Sequence, residues 1–148
     1  MKFTDKACPV LLRQRESQLQ ILAFRHPKAG FQIVKGTVEE GEEPSATALR
    51  ELGEESGVED AKLVEPLGQL VLRGIQQRWH IFLCVVERLL PDEWSHYTTD
   101  GGGHDFAFFW HNLDEEPGDE WHPDFRKGLS FIRRRMDERT ADRMAISA

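Results

Sequence analysis

The sequence predicts an α/β protein built on a mixed β-sheet with helices on both faces. Three observations lead there. Apolar runs of strand length recur along the chain, residues 44–57 carry helix start and stop signals, and Phe125, Leu129, Ile132 and Met136 recur at helical spacing. Strands thus stand before, between and around two helices. At 148 residues the chain is most simply one domain, 1–148, long enough to bury a core.

Ala7 to Leu12 reads as a first strand, with Pro9 suggesting an edge or an irregular start. Polar residues 13–18 make a turn, and Leu19 to Phe24 the returning strand. Arg25 to Lys28 form a polar loop, and Phe31 to Val34 another short strand. An extended segment and loop then run to Glu43. Leu63 to Leu72 and Arg78 to Val86 read as a hairpin turning at Arg73 to Gln77. Leu89 to Gly103, ending in Asp100-Gly101-Gly102-Gly103, reads as a long irregular connection. Asp105 to Trp110 is a strand, His111 to Glu120 a polar stretch, and Pro123 to about Arg139 a closing helix.

The 44–57 helix is the informative one. Pro44 suits the first helical position and Gly57 a left-handed stop. Ser45, Ala48, Leu49, Leu52 and Ser56 share a small and apolar side. Glu51, Glu54 and Glu55 crowd a different side at i, i+3 and i+4. Like charges so spaced cost a few tenths of a kcal/mol per pair, roughly, and Gly53 inside the helix costs about 1 kcal/mol relative to alanine. Stability alone would retain neither. Clustered carboxylates suit a solvated face or a hard cation such as Mg²⁺ or Mn²⁺.

Composition sets bounds. A net charge of −7 argues against long nucleic acid or an anionic membrane as partner. Cys8 and Cys84 lie in apolar runs and read as buried thiols of a reduced, cytoplasmic protein. There is no signal-peptide-like start and no apolar run of transmembrane length. No Cys/His cluster has zinc spacing. Arg133-Arg134-Arg135, interleaved with Asp137 and Glu138, reads as a solvated helix face.

Gly36, Glu42, Arg50, Glu51, Leu52, Glu54, Glu55, Gly57 and Val58 resemble, at all nine specified positions, the signature of the Nudix hydrolases. The resemblance implies an α/β/α sandwich and a Mg²⁺-dependent pyrophosphohydrolase. It would cleave the diphosphate of a nucleoside diphosphate linked to another moiety: a nucleotide sugar or ADP-ribose, a dinucleoside polyphosphate, or a nucleoside triphosphate. It implies Glu51, Glu54, Glu55 and the Gly36 carbonyl as metal ligands. Glu42 and Arg50 would pair to hold the loop on the helix, with Glu51 directed to metal rather than to Arg50. Mn²⁺ would substitute for Mg²⁺. Crowded carboxylates titrate as a group, so activity rising toward alkaline pH is expected.

Glu54 is the first choice of general base, with His104 and Asp105 the nearest alternatives outside the signature and Glu115, Glu116, Asp119 and Glu120 beyond. On the substrate side, Lys35 and Arg25 are candidate phosphate contacts. Trp79 or Phe82, which face opposite ways on one strand, would offer a base-stacking platform, as would Trp94, Tyr97 or Trp110. The partner is a small diphosphate compound, and many family members dimerise, although no stretch here announces an interface. The competing reading is a non-catalytic Nudix-fold sensor of a nucleotide metabolite. Such modules usually lose a signature carboxylate, and this chain keeps all three. An isomerase of the same fold would need acid and thiol groups that the sequence does not place.

Overall fold

The computed structural model describes residues 2–99 and 102–147. Asp100 and Gly101, part of the predicted connection, lie outside the described residues. The elements are β1 (Thr4–Arg15), β2 (Gln18–His26), β3 (Gly30–Gln32), β4 (Gly36–Thr37), α1 (Pro44–Ser56), β5 (Lys62–Leu72), β6 (Gln77–Val85), β7 (Trp94–Thr98), β8 (His104–Asn112) and α2 (Pro123–Ser147). The sheet runs β5-β6-β1-β2-β8-β7, with β3 on β2 and β4 on β1. The β1–β6 pair is parallel and the others are antiparallel, so the sheet is mixed as predicted.

Period-2 alternation separates two cores. Cys8, Val10, Ile21, Ala23, Trp79 and Ile81 face α2, meeting Phe125, Leu129, Ile132 and Met136. Leu11, Leu22, Phe24, Phe106 and Phe108 face the other way and meet Leu52 in α1 and Val58 just past its end. The two helices therefore cover opposite faces. Cys8 and Cys84 are buried free thiols, both pushed up to about 12 by burial. Among the described residues, no helix is long and apolar enough to cross a membrane.

Four expectations change. Pro9 lies inside the central strand β1, not at an edge. It is tolerated because β4 pairs β1 at Lys6 and Ala7 and β2 pairs it from Leu12 onward, which leaves Pro9 in the gap between them on that flank. Arg13 and Arg15 extend β1, and the turn shrinks to Glu16 and Ser17, both at positive φ as a tight hairpin requires. The Leu89–Gly103 connection contains β7, whose inward residues Trp94, His96 and Thr98 include two polar ones that hide the alternation. Finally, α2 continues past Arg139 to Ser147, because its apolar repeat ends at Met136 while nothing in the following residues breaks a helix. The Arg133–Arg135 stretch is a solvated face, with Arg133 on Glu116 (3.0 Å) and Arg135 on Glu138 (3.2 Å).

Leu52 is fully buried and anchors α1 on the sheet. Leu52→Ala is expected to cost about 2–5 kcal/mol, the range for deleting a buried leucine side chain. Urea unfolding checks this, and a loss below about 1 kcal/mol would mean that α1 is not seated by that contact.

Candidate active site

The loop before α1 is shaped by its own backbone. Glu42 N–H donates to the Glu39 carbonyl (2.9 Å), closing a turn in which Gly41 takes φ +79°. Pro44 starts the helix, and Gly57 ends it at φ +80° with its N–H on the Gly53 carbonyl. The loop thus returns over the first two turns of α1 and lays Glu42 beside Arg50.

Four hydrogen bonds converge on the Glu42 carboxylate. Arg50 Nε donates to Oε2 (2.8 Å) and Nη2 to Oε1 (3.0 Å), a bidentate pair. Thr47 Oγ1, fully buried, donates to Oε1 (2.6 Å), as does the Glu39 N–H (3.2 Å). Arg50 foremost, then Thr47, holds this carboxyl down at about 2, and the same pairing raises Arg50 further. The predicted Glu42–Arg50 pair is present. Thr47 was invisible to the apolar-face argument because its burial serves a polar contact.

Arg50 does more than pair with Glu42. Its Nη1 donates to Glu51 Oε1 (3.0 Å) and Glu54 Oε2 (3.2 Å), its Nη2 to the Thr37 carbonyl (3.4 Å), and Glu39 lies 3.7 Å away. This corrects the expectation that Glu51 points away from Arg50. An arginine side chain is long enough to fold back over its own helix, and a lone guanidinium draws carboxylates that would otherwise repel one another. Among the described residues, no three acidic, Cys or His side chains converge so as to hold a metal ion as they stand. Glu39, Glu42, Glu51 and Glu54 gather on Arg50 instead.

Glu51 and Glu55 are buried at 7% and 8% exposure, and Glu54 is exposed. Room for Glu51 is made by Gly36, since a Cβ at Gly36 would fall on the Glu51 side chain. The sequence thus places a glycine where a carboxylate passes the end of β4. Together these groups line a cleft of about 480 Å³. Lys6, Lys35, Gly36 and Thr37 form its sheet side, and Glu39, Arg50, Glu51, Glu54 and Glu55 its helix side. A larger cleft of about 530 Å³ between β5 and α2 contains no signature residue, and its lining includes the Arg139–Glu65 pair. The donor set of the first cleft, carboxylate and carbonyl oxygens, fits a hard divalent cation.

The substrate-side candidates divide. Lys35 lines the cleft; its ammonium lies 3.4 Å from Gln77 Oε1 and over the rings of Trp79 (4.7 Å) and Phe125 (5.0 Å), and burial lowers its pKa. Trp79 is 0% exposed, packed on Phe125 with its Nε1 on Gln77 Oε1 (2.8 Å), so it is core and not a stacking platform. Arg25 is also not brought to the signature. Alternation sets it on the α2 side, over Phe109 (4.5 Å) and Phe31 (5.3 Å). Asp105 sits exposed on β8 opposite Tyr97 and does not line the cleft. Lys6 and Thr37 went unnoticed in the sequence, because only the β1–β4 register (Lys6 opposite Thr37) brings them to the carboxylates.

Because Glu42 is held at about 2 against an ordinary 4.5, its pairing stabilises the fold fully above pH 4.5. That contribution fades as pH falls through this window. Glu42→Gln is therefore expected to be less stable than wild type at pH 7, with the gap closing by about pH 2. Denaturant midpoints at several pH values check this; a gap independent of pH would contradict it.

A family profile described as NUDIX domain matches residues 4–129. No curated protein matches. Solved structures share the architecture at low identity. An Ap4A hydrolase from C. elegans is 17% identical, with a TM-score of 0.64 over 92% of this chain and 97% of that one. The NUDIX domain of Shewanella oneidensis NrtR, complexed with ADP ribose, is 15% identical, with a TM-score of 0.61 over 92% and 90%. A NUDIX hydrolase from Nitrosomonas europaea is 16% identical, with a TM-score of 0.64 over 95% and 74%. At these identities the likeness is one of fold. With the family profile spanning most of its length and every signature position present, this chain belongs to the NUDIX family.

Proposed function

We propose that this NUDIX chain is a Mg²⁺-dependent pyrophosphohydrolase that cleaves the diphosphate of a nucleoside diphosphate linked to another moiety. The observation that carries the reading is the gathering of Glu51, Glu54, Glu55 and Gly36 in one cleft. Residue types that avoid one another in water are held together there by the fold. The substrate is a soluble small molecule, and the reading includes a cytoplasmic location and a homodimer as in many family members. The Ap4A hydrolase and the ADP-ribose complex among the structural neighbours support a nucleotide-type ligand.

Glu51, Glu54, Glu55 and the Gly36 carbonyl would hold the cation. A divalent ion supplies charge neutralisation for an anionic diphosphate and makes water more acidic. The chain's own residues do the rest. Glu42 and Arg50 fix the loop against α1, so the frame that carries the carboxylates stays in one place. Arg50 spreads one positive charge over Glu51 and Glu54, holding two like charges close before any ligand arrives. Glu54, exposed at the mouth, takes the proton from the water that attacks phosphorus as the bridging P–O bond breaks. Lys35 meets a phosphate from the sheet side.

Glu54→Gln tests this against the sensor reading. Removing a general base is expected to lower turnover of diphosphate compounds about 10²-fold or more with Mg²⁺. Because Glu54 is exposed, the melting temperature should hold. Product analysis over a panel of ADP-ribose, a dinucleoside tetraphosphate and a nucleoside triphosphate reads it out. A wild-type chain that binds one of these and cleaves none would favour the sensor.

A further inference from the structure

The last turns of α2 lie beyond the core on which the helix is built. Its apolar repeat ends at Met136, and Thr140 to Ala145 are all exposed, Met144 included. A helix end without a buried face is marginal in water, so these turns gain from a contact of their own. They overhang β5, the strand at one end of the sheet, and the cleft of about 530 Å³ lies in the angle between the two. None of its lining belongs to the carboxylate cleft.

The floor of this cleft is the outer flank of β5, whose other flank pairs with β6. Pro66 offers no N–H, and the register shifts between Leu63 and Glu65 and again between Pro66 and Gly68. An added strand finds no continuous ladder there. The wall is a helix stripe. Arg135, Glu138, Arg139 and Asp142, at i, i+3, i+4 and i+7, alternate in sign. Such a stripe is its own complement when turned end for end. In an antiparallel pair centred between residues 138 and 139, Arg135 stands level with the second copy's Asp142, and Glu138 with its Arg139. Sliding one copy by three residues puts Arg135 level with Arg139, or Glu138 level with Asp142, so like charges reject those registers.

These charges are placed to exchange partners. Arg135 meets Glu138 of its own helix at 3.2 Å, with both side chains about half exposed. A pair so exposed contributes little and is easily replaced. Arg139 gives its Nε to Glu65, and its fork has further N–H donors to offer a second acid. Val64 and Pro66, both exposed, add apolar surface at the floor. We propose that the end of α2 and the flank of β5 form the contact surface for a second copy of this chain, the two α2 ends packing antiparallel about a two-fold axis. This gives the homodimer its surface. It uses no cleft carboxylate, so it stands or falls apart from the hydrolase reading.

Sedimentation velocity of wild type and two double variants tests the proposal. Glu138→Arg with Asp142→Arg makes the stripe wholly basic, and Arg135→Glu with Arg139→Glu makes it wholly acidic. Wild type is expected at twice the chain mass at micromolar concentration, and each variant alone at the chain mass. An equimolar mixture of the two variants should return to twice the chain mass, because opposite stripes then face each other. Near-ultraviolet circular dichroism reports that each variant is folded, and the basic one leaves the Arg139–Glu65 pair in place. A monomeric wild type, a dimer that the basic variant keeps, or folded variants that stay monomeric on mixing would overturn the proposal. Should the acidic variant fail to fold, the basic one decides alone: a folded monomer upholds the surface and a dimer defeats it. Turnover of the nucleotide panel is read separately, so a monomeric wild type that cleaves diphosphates loses this surface and keeps the hydrolase reading.

Discussion

The site depends on one ion pair. Glu42 and Arg50 are joined by two parallel hydrogen bonds, and Thr47 and the Glu39 N–H complete the shell of the carboxylate. This fixes a loop to the helix that follows it at a point where neither has apolar surface to offer. Beside it the loop is held by backbone hydrogen bonds, Glu42 N–H to the Glu39 carbonyl and Val38 N–H to the Asp5 carbonyl (both 2.9 Å), and by Thr47 Oγ1 on the Glu43 carbonyl (3.2 Å). A half-buried bidentate pair is worth more here than a surface pair of the same composition, because its geometry is already fixed by the turn at Gly41 and the start at Pro44.

The same arginine explains how two of the three like charges are held close on one helix. Glu51 and Glu54 both contact its guanidinium, and Glu51 is sunk into the space that Gly36 leaves. Arg50 thus serves as the resident cation for these two carboxylates. A divalent ion binding there would compete with Arg50 for two of its carboxylates while leaving the Glu42 contact intact. The hold on Glu42 and the hold on Glu51 and Glu54 are separate contacts of one side chain. That separation would let the frame stay rigid while the carboxylates are reassigned.

Much of this was legible in the sequence, for local reasons. Pro44 and Gly57 bound the helix by rules that need no tertiary information, and the spacing of Glu51, Glu54 and Glu55 showed the charge crowding directly. The strands of the mixed sheet followed from apolar runs. What stayed hidden depends on pairing between distant segments. Pro9 looked like an edge residue because β4 and β6, which pair with β1 on either side, come from later in the chain. Lys6 carries no signal in the sequence, since only its pairing with β4 gives it a place at the cleft. Trp79 and Arg25 were plausible ligand contacts by residue type, and only their place on the α2 side, one buried and the other over Phe109, removes them from the cleft. Strand alternation tells which residues share a face but not which face meets the ligand.

The central claim is the proposal that this cleft seats a divalent cation on Glu51, Glu54 and Glu55, the first two now held by Arg50. Titration with Mn²⁺ followed by electron paramagnetic resonance tests it most directly, by counting bound ions without reference to turnover. The account predicts saturable binding in the wild-type chain and its loss in the Glu51→Gln, Glu55→Gln double variant. Binding that is absent in wild type, or equal in the two, would contradict it.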